Sequence, residues 1–227
     1  MDRDTTVCCA ARNIAVSTAE VHWCDIPPAV SSATVRCPAG NKHDDFMKSN
    51  TIQARKTGCT CTLEVLGAEH AEALLAFEQK HKRFFDSLIA MRPPQFYSPE
   101  GVQTHIRELQ AAYAAGEGYP GVICEQGEVI GRINLRAVDR ESQSAYLGYR
   151  VAEDRQGEGL ACAAVQELVR LAREDFGLKT LRADVLDNNP ASAHVLEKHG
   201  FVCRGYTEHF LRLHDQCIGC RHYELTL

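Results

Sequence analysis

The stretch Arg155-Gln156-Gly157-Glu158-Gly159-Leu160-Ala161 joins a strand-like run, residues 144–151, to a long amphipathic pattern, residues 159–176. Glycines let a backbone approach a ligand closely, and the first N–H groups of a helix have no partner within the helix. Such a junction predicts an anion-binding loop that suits a phosphate group. A glycine turn that opens a helix without any ligand is the alternative.

Three phosphate-binding patterns compete for this loop. A Walker A loop is excluded because no Gly-Lys-Ser or Gly-Lys-Thr occurs in the chain. The dinucleotide fingerprint needs a small residue at a position where this chain has Cys162. That fingerprint also lies after the first strand of a parallel unit, whereas this loop follows a predicted antiparallel meander. The third pattern, Gln/Arg-x-x-Gly-x-Gly/Ala, is a pyrophosphate loop and is matched at Gln156, Gly159 and Ala161. The third pattern is therefore favoured.

The periodicity on both sides of the loop predicts the order βααβββαβαββ, with about seven strands and four helices. Short polar turns between the three runs before the loop suit an antiparallel meander. The expected architecture is an α/β (α+β) fold with a mixed, mostly antiparallel central sheet. The predicted strands are residues 62–66, 121–124, 129–137, 144–151, 181–186, 201–213 and 218–227, and the predicted helices are residues 69–88, 99–115, 159–176 and 191–199.

A second motif follows the next predicted strand and reads Asp187-Asn188-Asn189-Pro190-Ala191-Ser192, with Glu-Lys-His-Gly-Phe at residues 197–201. Asn189 is a helix cap with proline at the first helical position, and its remaining amide hydrogens can bond the amide groups of a ligand. Ser192 lies one turn into the helix. The alternatives are a cap alone and an ordinary first-turn serine. Two motifs in this order, with a strand between them, favour a ligand site.

Together the motifs resemble those of the RimJ/RimL-type ribosomal-protein N-acetyltransferases of the GNAT superfamily, and the resemblance covers residues 62–227. Further matching stretches are residues 130–135 (Ile-Gly-Arg-Ile-Asn-Leu) and 147–151 (Leu-Gly-Tyr-Arg-Val). The resemblance implies the GNAT fold, acetyl-CoA as the donor and a primary amine as the acceptor. It also implies that acetyl-CoA lies in a V between the third meander strand and the strand before Asn189.

The resemblance further implies roles for individual residues. The backbone N–H near Leu147 would polarise the thioester carbonyl, and Ser192 would bond the departing thiolate, with Tyr206 as the second choice. The acceptor wall would include Phe84, Phe85, Arg92 and Tyr97, for each of which a packing or surface role is the commoner explanation. The implied acetyl-CoA contacts are Tyr149, Val151, Gln156, Gly157, Glu158, Gly159, Leu160, Ala161, Asn189 and Ser192.

One position departs from the family pattern. Many relatives carry an acidic residue immediately before the Leu-Gly-Tyr, where this chain has Tyr146. A protein α-amino group titrates near about 8 and a lysine near about 10.4, so an α-amine needs less help from a base. The departure therefore favours a protein N-terminal amine, or an amine of similar acidity, over a lysine side chain. The resemblance implies that the N-terminal amine belongs to a ribosomal protein. The alternatives are a small amine (a polyamine, an amino acid or an aminoglycoside) and a non-catalytic acyl-CoA-binding module.

The composition limits the cellular locations and the binding partners that are expected for this chain. The chain of 227 residues carries a net charge of −5, and no apolar run reaches the roughly 18 residues of a membrane helix. We expect a cytoplasmic protein, monomeric or homodimeric, that binds neither membrane nor nucleic acid. The eleven cysteines are expected to be reduced thiols. No metal is expected, because Cys217-Ile-Gly-Cys220 lacks a second pair at zinc-site spacing.

The segment before the catalytic unit has a different character. Residues 1–61 hold six of the eleven cysteines and show no sustained periodicity. They predict a poorly ordered, cysteine-rich extension, followed by the acetyltransferase domain at residues 62–227. Met47 is an alternative translation start.

Overall fold

One mixed β-sheet organises the described part of the chain. The computed structural model describes residues 50–53, 58, 60–213 and 215–227. Within these residues the sheet has eight strands in the order β1-β2-β3-β4-β5-β6-β8-β7. The strands are β1 (Asn50–Gln53), β2 (Thr60–Val65), β3 (Tyr119–Glu125), β4 (Glu128–Asp139), β5 (Ser144–Val151), β6 (Thr180–Leu186), β7 (Val202–Leu213) and β8 (Gln216–Thr226).

Helices cover both faces of this sheet. The α-helices are α1 (Ala71–Lys80), α2 (Lys82–Leu88), α3 (Pro99–Ala114), α4 (Leu160–Glu174) and α5 (Pro190–Lys198). On one face, Leu168 of α4 packs in the same buried cluster as Ile123 of β3. On the other face, Phe77 of α1 and Ile106 of α3 pack with Val122. Because Val122 and Ile123 are consecutive strand residues, the two clusters lie on opposite faces, and each fully buried apolar side chain stabilises its layer by roughly 1.5–3 kcal/mol.

The strands β5 and β6 separate after a short pairing. They are the parallel pair of the sheet, and only Ser144, Ala145 and Tyr146 of β5 pair with residues 180–182 of β6. Beyond Tyr146 the two strands diverge, and their carboxyl ends lead to α4 and α5 respectively. The result is a V-shaped cleft at the ends of two adjacent parallel strands, where ligands commonly bind in open sheets.

The predicted fold class is confirmed, with two differences in the count of elements. The predicted helix at residues 69–88 is divided at His81, whose φ and ψ of −102° and 12° leave the helical region. The His81 Nδ1 accepts the N–H of Glu153 at 3.3 Å, so a distant backbone group holds the break. The described residues therefore contain five α-helices instead of four.

The second difference is strand β1, which lies before the predicted domain boundary at Thr62. Its residues Asn50–Gln53 pair antiparallel with β2, and the side chain of Ile52 is buried in the main core. The sheet therefore begins earlier than predicted and has eight strands instead of seven. Residues 1–49, including Met47, lie outside the described residues. None of the described helices is long and apolar enough to cross a membrane.

Candidate active site

The loop between β5 and α4 has the backbone of an anion-binding turn. Gly157 and Gly159 adopt φ angles of 78° and 92°, in the left-handed region that side chains disfavour. The Gln156 amide donates to the carbonyls of Val151 (2.8 Å) and Ala152 (3.1 Å), which fixes the loop on the end of β5. α4 begins directly after Gly159, so its first-turn N–H groups and the positive end of its dipole lie at the loop. This arrangement suits a pyrophosphate group.

The charged side chains of the loop bind one another. Arg155 donates to the carboxylates of Glu125 (Nη1–Oε2, 2.5 Å) and Glu158 (Nε–Oε1, 3.0 Å). These hydrogen bonds, first that of Glu125 and then that of Glu158, raise the pKa of Arg155. One cation between two carboxylates offers no net positive charge. Attraction for a phosphate therefore comes from the backbone N–H groups and the α4 dipole, and Glu158 can serve only through its backbone.

The opposite wall of the cleft is the start of α5. Asn189 caps the helix, because its Oδ1 accepts the N–H of Ser192 at 3.1 Å, and its Nδ2 hydrogens remain for a ligand. The Ser192 Oγ lies 2.9 Å from the hydroxyl of Tyr149, which also donates to the Ser192 carbonyl at 3.1 Å. Burial raises the pKa of Tyr149, so its hydroxyl keeps its proton at neutral pH. Residues predicted from two separate motifs meet here across the cleft.

One cavity gathers many of the predicted site residues. Its walls include Tyr149, Val151, Gln156, Ala161, Asn189 and Ser192 from the predicted acetyl-CoA contacts, and Phe84 and Phe85 from the predicted acceptor wall. Leu147 is the first residue of β5 beyond the last β5–β6 pair, and it lines the adjoining part of the cleft. Gly157, Glu158 and Gly159 follow Gln156 in the loop, and Leu160 is the first residue of α4, with its side chain buried in the main core.

Three predicted residues lie elsewhere. Tyr206 on β7 is 54% exposed and donates to Asp187 at 2.8 Å, and it is not part of the cleft walls. Tyr97 lies beside Lys82, whose Nζ is 5.0 Å from the ring centre, and burial raises the pKa of Tyr97 to about 12. Arg92 lines a second cavity, next to the cleft. The roles assigned to these residues stay predictions.

Sequence patterns missed a buried ion cluster beside the cleft. Glu78 of α1 is 1% exposed, and its two carboxylate oxygens accept from Arg132 and Arg150 at 3.0 Å each. Burial by itself would raise the pKa of Glu78, but Arg150, Arg92 and Arg132 together lower it to about 2. Arg132 and Arg150 are direct partners on β4 and β5, so the carboxylate offsets the repulsion between two facing cations.

The sequence analysis also missed a carboxylate in the V. Arg182 pairs with Tyr146, so Asp184, two residues further along β6, points to the same face of the sheet as Tyr146. Asp184 lines the cleft with Gly148, and its Oδ1 lies 2.8 Å from Nδ1 of His222. The contact joins residues 38 positions apart, and only knowledge of the strand order could have revealed it.

Two groups of potential metal ligands occur among the described residues: Glu64, His70 and Cys124, and Asp184, Cys220 and His222. Metals bind the thiolate form of cysteine. Burial raises the pKa of Cys124 to about 12 and has the same effect, to about 12, on Cys220. The expected absence of a metal stays a prediction.

Comparison with known proteins identifies the family. The protein-family model described as "Acetyltransferase (GNAT) domain" matches residues 61–202. The "Probable N-acetyltransferase YjcK" of Bacillus subtilis is 29% identical over 151 residues, which cover 65% of this chain and 83% of that protein. The "[Ribosomal protein uS5]-alanine N-acetyltransferase" of Escherichia coli is 24% identical over 172 residues, which cover 74% of this chain and 89% of that protein.

Solved structures agree with this family. Mycobacterium smegmatis RimJ in complex with CoA-disulfide superimposes with a TM-score of 0.71 at 21% identity, over 78% of this chain and 86% of that chain. The microcin C7 self-immunity acetyltransferase MccE, in complex with acetyl-CoA and AMP, has a TM-score of 0.66 at 20% identity, over 74% and 92% of the two chains. The glycine loop, the Asn189 cap and the splayed strands fit acetyl-CoA. The chain therefore belongs to the GNAT acetyltransferase family and is an acetyl-CoA-dependent N-acetyltransferase.

Proposed function

We propose that this enzyme acetylates the N-terminal α-amine of a protein, with a ribosomal protein as the first candidate. The observation that carries the proposal is a second cavity, between α3, β4 and residues 89–92, which shares Ile89, Arg132 and Arg150 with the cleft. An acceptor with its amine in the V then has room for the residues that follow. The name of the Escherichia coli relative, an enzyme for an alanine of a ribosomal protein, supports the same class of acceptor.

Binding of the donor follows from the two walls of the cleft. The N–H groups of residues 157–161 would hold the pyrophosphate, and the Asn189 amide would bond the pantetheine arm. Bound acetyl-CoA supplies the activated acetyl group. The backbone N–H near Leu147, where β5 leaves β6, would polarise the thioester carbonyl. The Ser192 hydroxyl, which is hydrogen-bonded to Tyr149 in this structure, would donate a hydrogen bond to the sulfur of the departing thiolate.

Removal of the amine proton falls to Asp184 in this proposal. Tyr146 occupies the position where many relatives carry an acid, and Asp184 is the carboxylate on the same face of the neighbouring strand. The hydrogen bond from His222 to Asp184 would fix the orientation of the carboxylate. An α-amine, with a pKa of about 8, needs only a modest base at this point.

A thiol-release assay tests the acceptor class. Acetyl-CoA is offered with peptides that carry a free N-terminus, with an N-terminally blocked peptide that contains lysine, and with a polyamine and an aminoglycoside. Turnover of the free-N-terminus peptides alone supports the proposal. Turnover of small amines alone contradicts it, and CoA binding without turnover on any acceptor would indicate a non-catalytic module. The cytoplasmic location and the monomeric or homodimeric state remain predictions.

A further inference from the structure

Asn134 lies where the second cavity meets the cleft. It is a residue of β4 that lines the second cavity, and its direct partner on β5 is Gly148, which lines the cleft. Gly148 follows Leu147, the residue near which the thioester carbonyl would be polarised. The Asn134 side chain is therefore next to the V, at the point from which an acceptor would continue into the second cavity.

The absence of a side chain at Gly148 leaves room for the Asn134 amide. A Cβ atom at residue 148 would lie 2.9 Å from Oδ1 of Asn134, which is closer than these two kinds of atom pack. Register places Asn134 on the same face of the sheet as Tyr146 and Asp184. The amide therefore lies over the backbone of Gly148 and faces the same side as the proposed base.

The Asn134 amide has hydrogen-bonding capacity that the protein does not use. The residue is half-buried, and within the part of the chain that the structure describes its side chain has no hydrogen-bond partner. Its neighbours on this face differ, because Arg132 donates to Glu78 at 3.0 Å and Arg136 lies over the ring of Tyr146, with Cζ 5.3 Å from the ring centre. Burial of a polar group is costly unless it is hydrogen-bonded, so the amide would favour a ligand that supplies both an acceptor and a donor.

From this geometry we infer that Asn134 binds the first peptide bond of the acceptor. The inference rests on the proposed acetylation of a protein N-terminus and names the group that the enzyme recognises beyond the amine. A peptide bond presents one C=O acceptor and one N–H donor, which match the Nδ2 donors and the Oδ1 acceptor of asparagine. Its carbonyl carbon is two bonds from the α-amine, so an amine in the V brings the peptide bond to Gly148. A polyamine has no such group.

Two small acceptors that differ in one group test the inference. Alanine N-methylamide has the carbonyl and the N–H of a peptide bond, whereas alanine methyl ester keeps the carbonyl and has oxygen in place of the N–H. In both compounds the reacting amine is next to the same carbon skeleton. We expect kcat/KM for the amide to exceed that for the ester by about fivefold, as for one hydrogen bond, in the thiol-release assay.

Two substitutions at Asn134 separate hydrogen bonding from packing. Asn134→Leu fills a similar space without hydrogen-bonding atoms, so the amide and the ester should be used equally well. Asn134→Asp keeps an acceptor for the N–H, so the preference for the amide should remain. Asn50→Leu on β1, three strands away from β4, is the matched control and should keep the wild-type preference. Each preference is a ratio within one variant, so a general loss of activity cancels.

The outcomes separate the two proposals. Turnover of N-terminal peptides with equal use of the amide and the ester would overturn the inference and leave N-terminal acetylation intact. A preference for the amide that persists in Asn134→Leu would also overturn the inference. Turnover of a polyamine without turnover of any peptide or of either alanine derivative would refute the proposed acceptor class, and the inference with it.

Discussion

Replacement of Glu78 by glutamine tests the buried ion cluster most sharply. The three arginines lower the pKa of Glu78 from its ordinary value of 4.5 to about 2. A lowered pKa means that the ionised carboxylate stabilises the fold above pH 4.5, and that this stabilisation is lost as the pH falls toward 2. At about 1.4 kcal/mol per pKa unit, the contribution at pH 7 is about 3 kcal/mol.

Glutamine has nearly the shape of protonated glutamate, so Glu78→Gln should lower the free energy of unfolding by about 3 kcal/mol at pH 7. At pH 3, where the wild-type carboxylate becomes almost fully protonated on unfolding, the difference should shrink to less than half of that value. Urea unfolding of the wild-type and variant chains at pH 7 and at pH 3 measures both differences in the free energy of unfolding. Glu72→Gln on the exposed side of α1 is the control, with an expected change within about 0.5 kcal/mol. A difference below that limit at pH 7, or one that does not change with pH, would refute the electrostatic argument.

Three further predictions concern the cleft and the sheet edge. Ser192→Ala should lower kcat by about tenfold with little change in the KM for acetyl-CoA, because the lost hydrogen bond forms to the departing thiolate; an unchanged kcat would remove Ser192 from the mechanism. Asp184→Asn should reduce kcat/KM more at pH 7 than at pH 9, where the α-amine, with a pKa of about 8, is already neutral; a uniform loss at both pH values would contradict its role as a base. Relative to a chain that begins at Met47, one that begins at Gly58 loses β1 and the buried Ile52, at a cost of roughly 1.5–3 kcal/mol in urea unfolding; equal stability of the two chains would show that β1 contributes nothing.

Local chemistry made the loop and the α5 cap predictable from sequence. The first N–H groups of a helix need acceptors, and its first position tolerates proline. The adjacent residues Asn189 and Pro190 therefore predict the start of α5. The glycine loop is likewise a local backbone requirement, and Gly157 and Gly159 do adopt left-handed conformations. Both features depend only on residues a few positions apart in the sequence, so no knowledge of distant contacts is needed to predict them.

The features that sequence analysis missed depend on distant partners. Glu78 reads as an ordinary polar residue of α1, and it is buried only because arginines 54 and 72 positions away surround it. The break at His81 is held by a backbone N–H 72 positions away. β1 offers one buried apolar residue, Ile52, in four residues, which is too little pattern to recognise before its pairing with β2 is known.

Calorimetric titration with acetyl-CoA tests the central claim most directly, namely that the Gln156–Ala161 loop and the adjoining V hold the donor. Gly159→Asp puts a side chain and a negative charge where the backbone has a φ of 92°, and Gly177→Asp makes the same change at a φ of 63° beyond the far end of α4. The account predicts that the whole chain binds acetyl-CoA, that Gly159→Asp weakens the affinity by at least about tenfold, and that Gly177→Asp leaves it unchanged. No binding by the wild-type chain, or equal affinity in the Gly159→Asp variant, would contradict it.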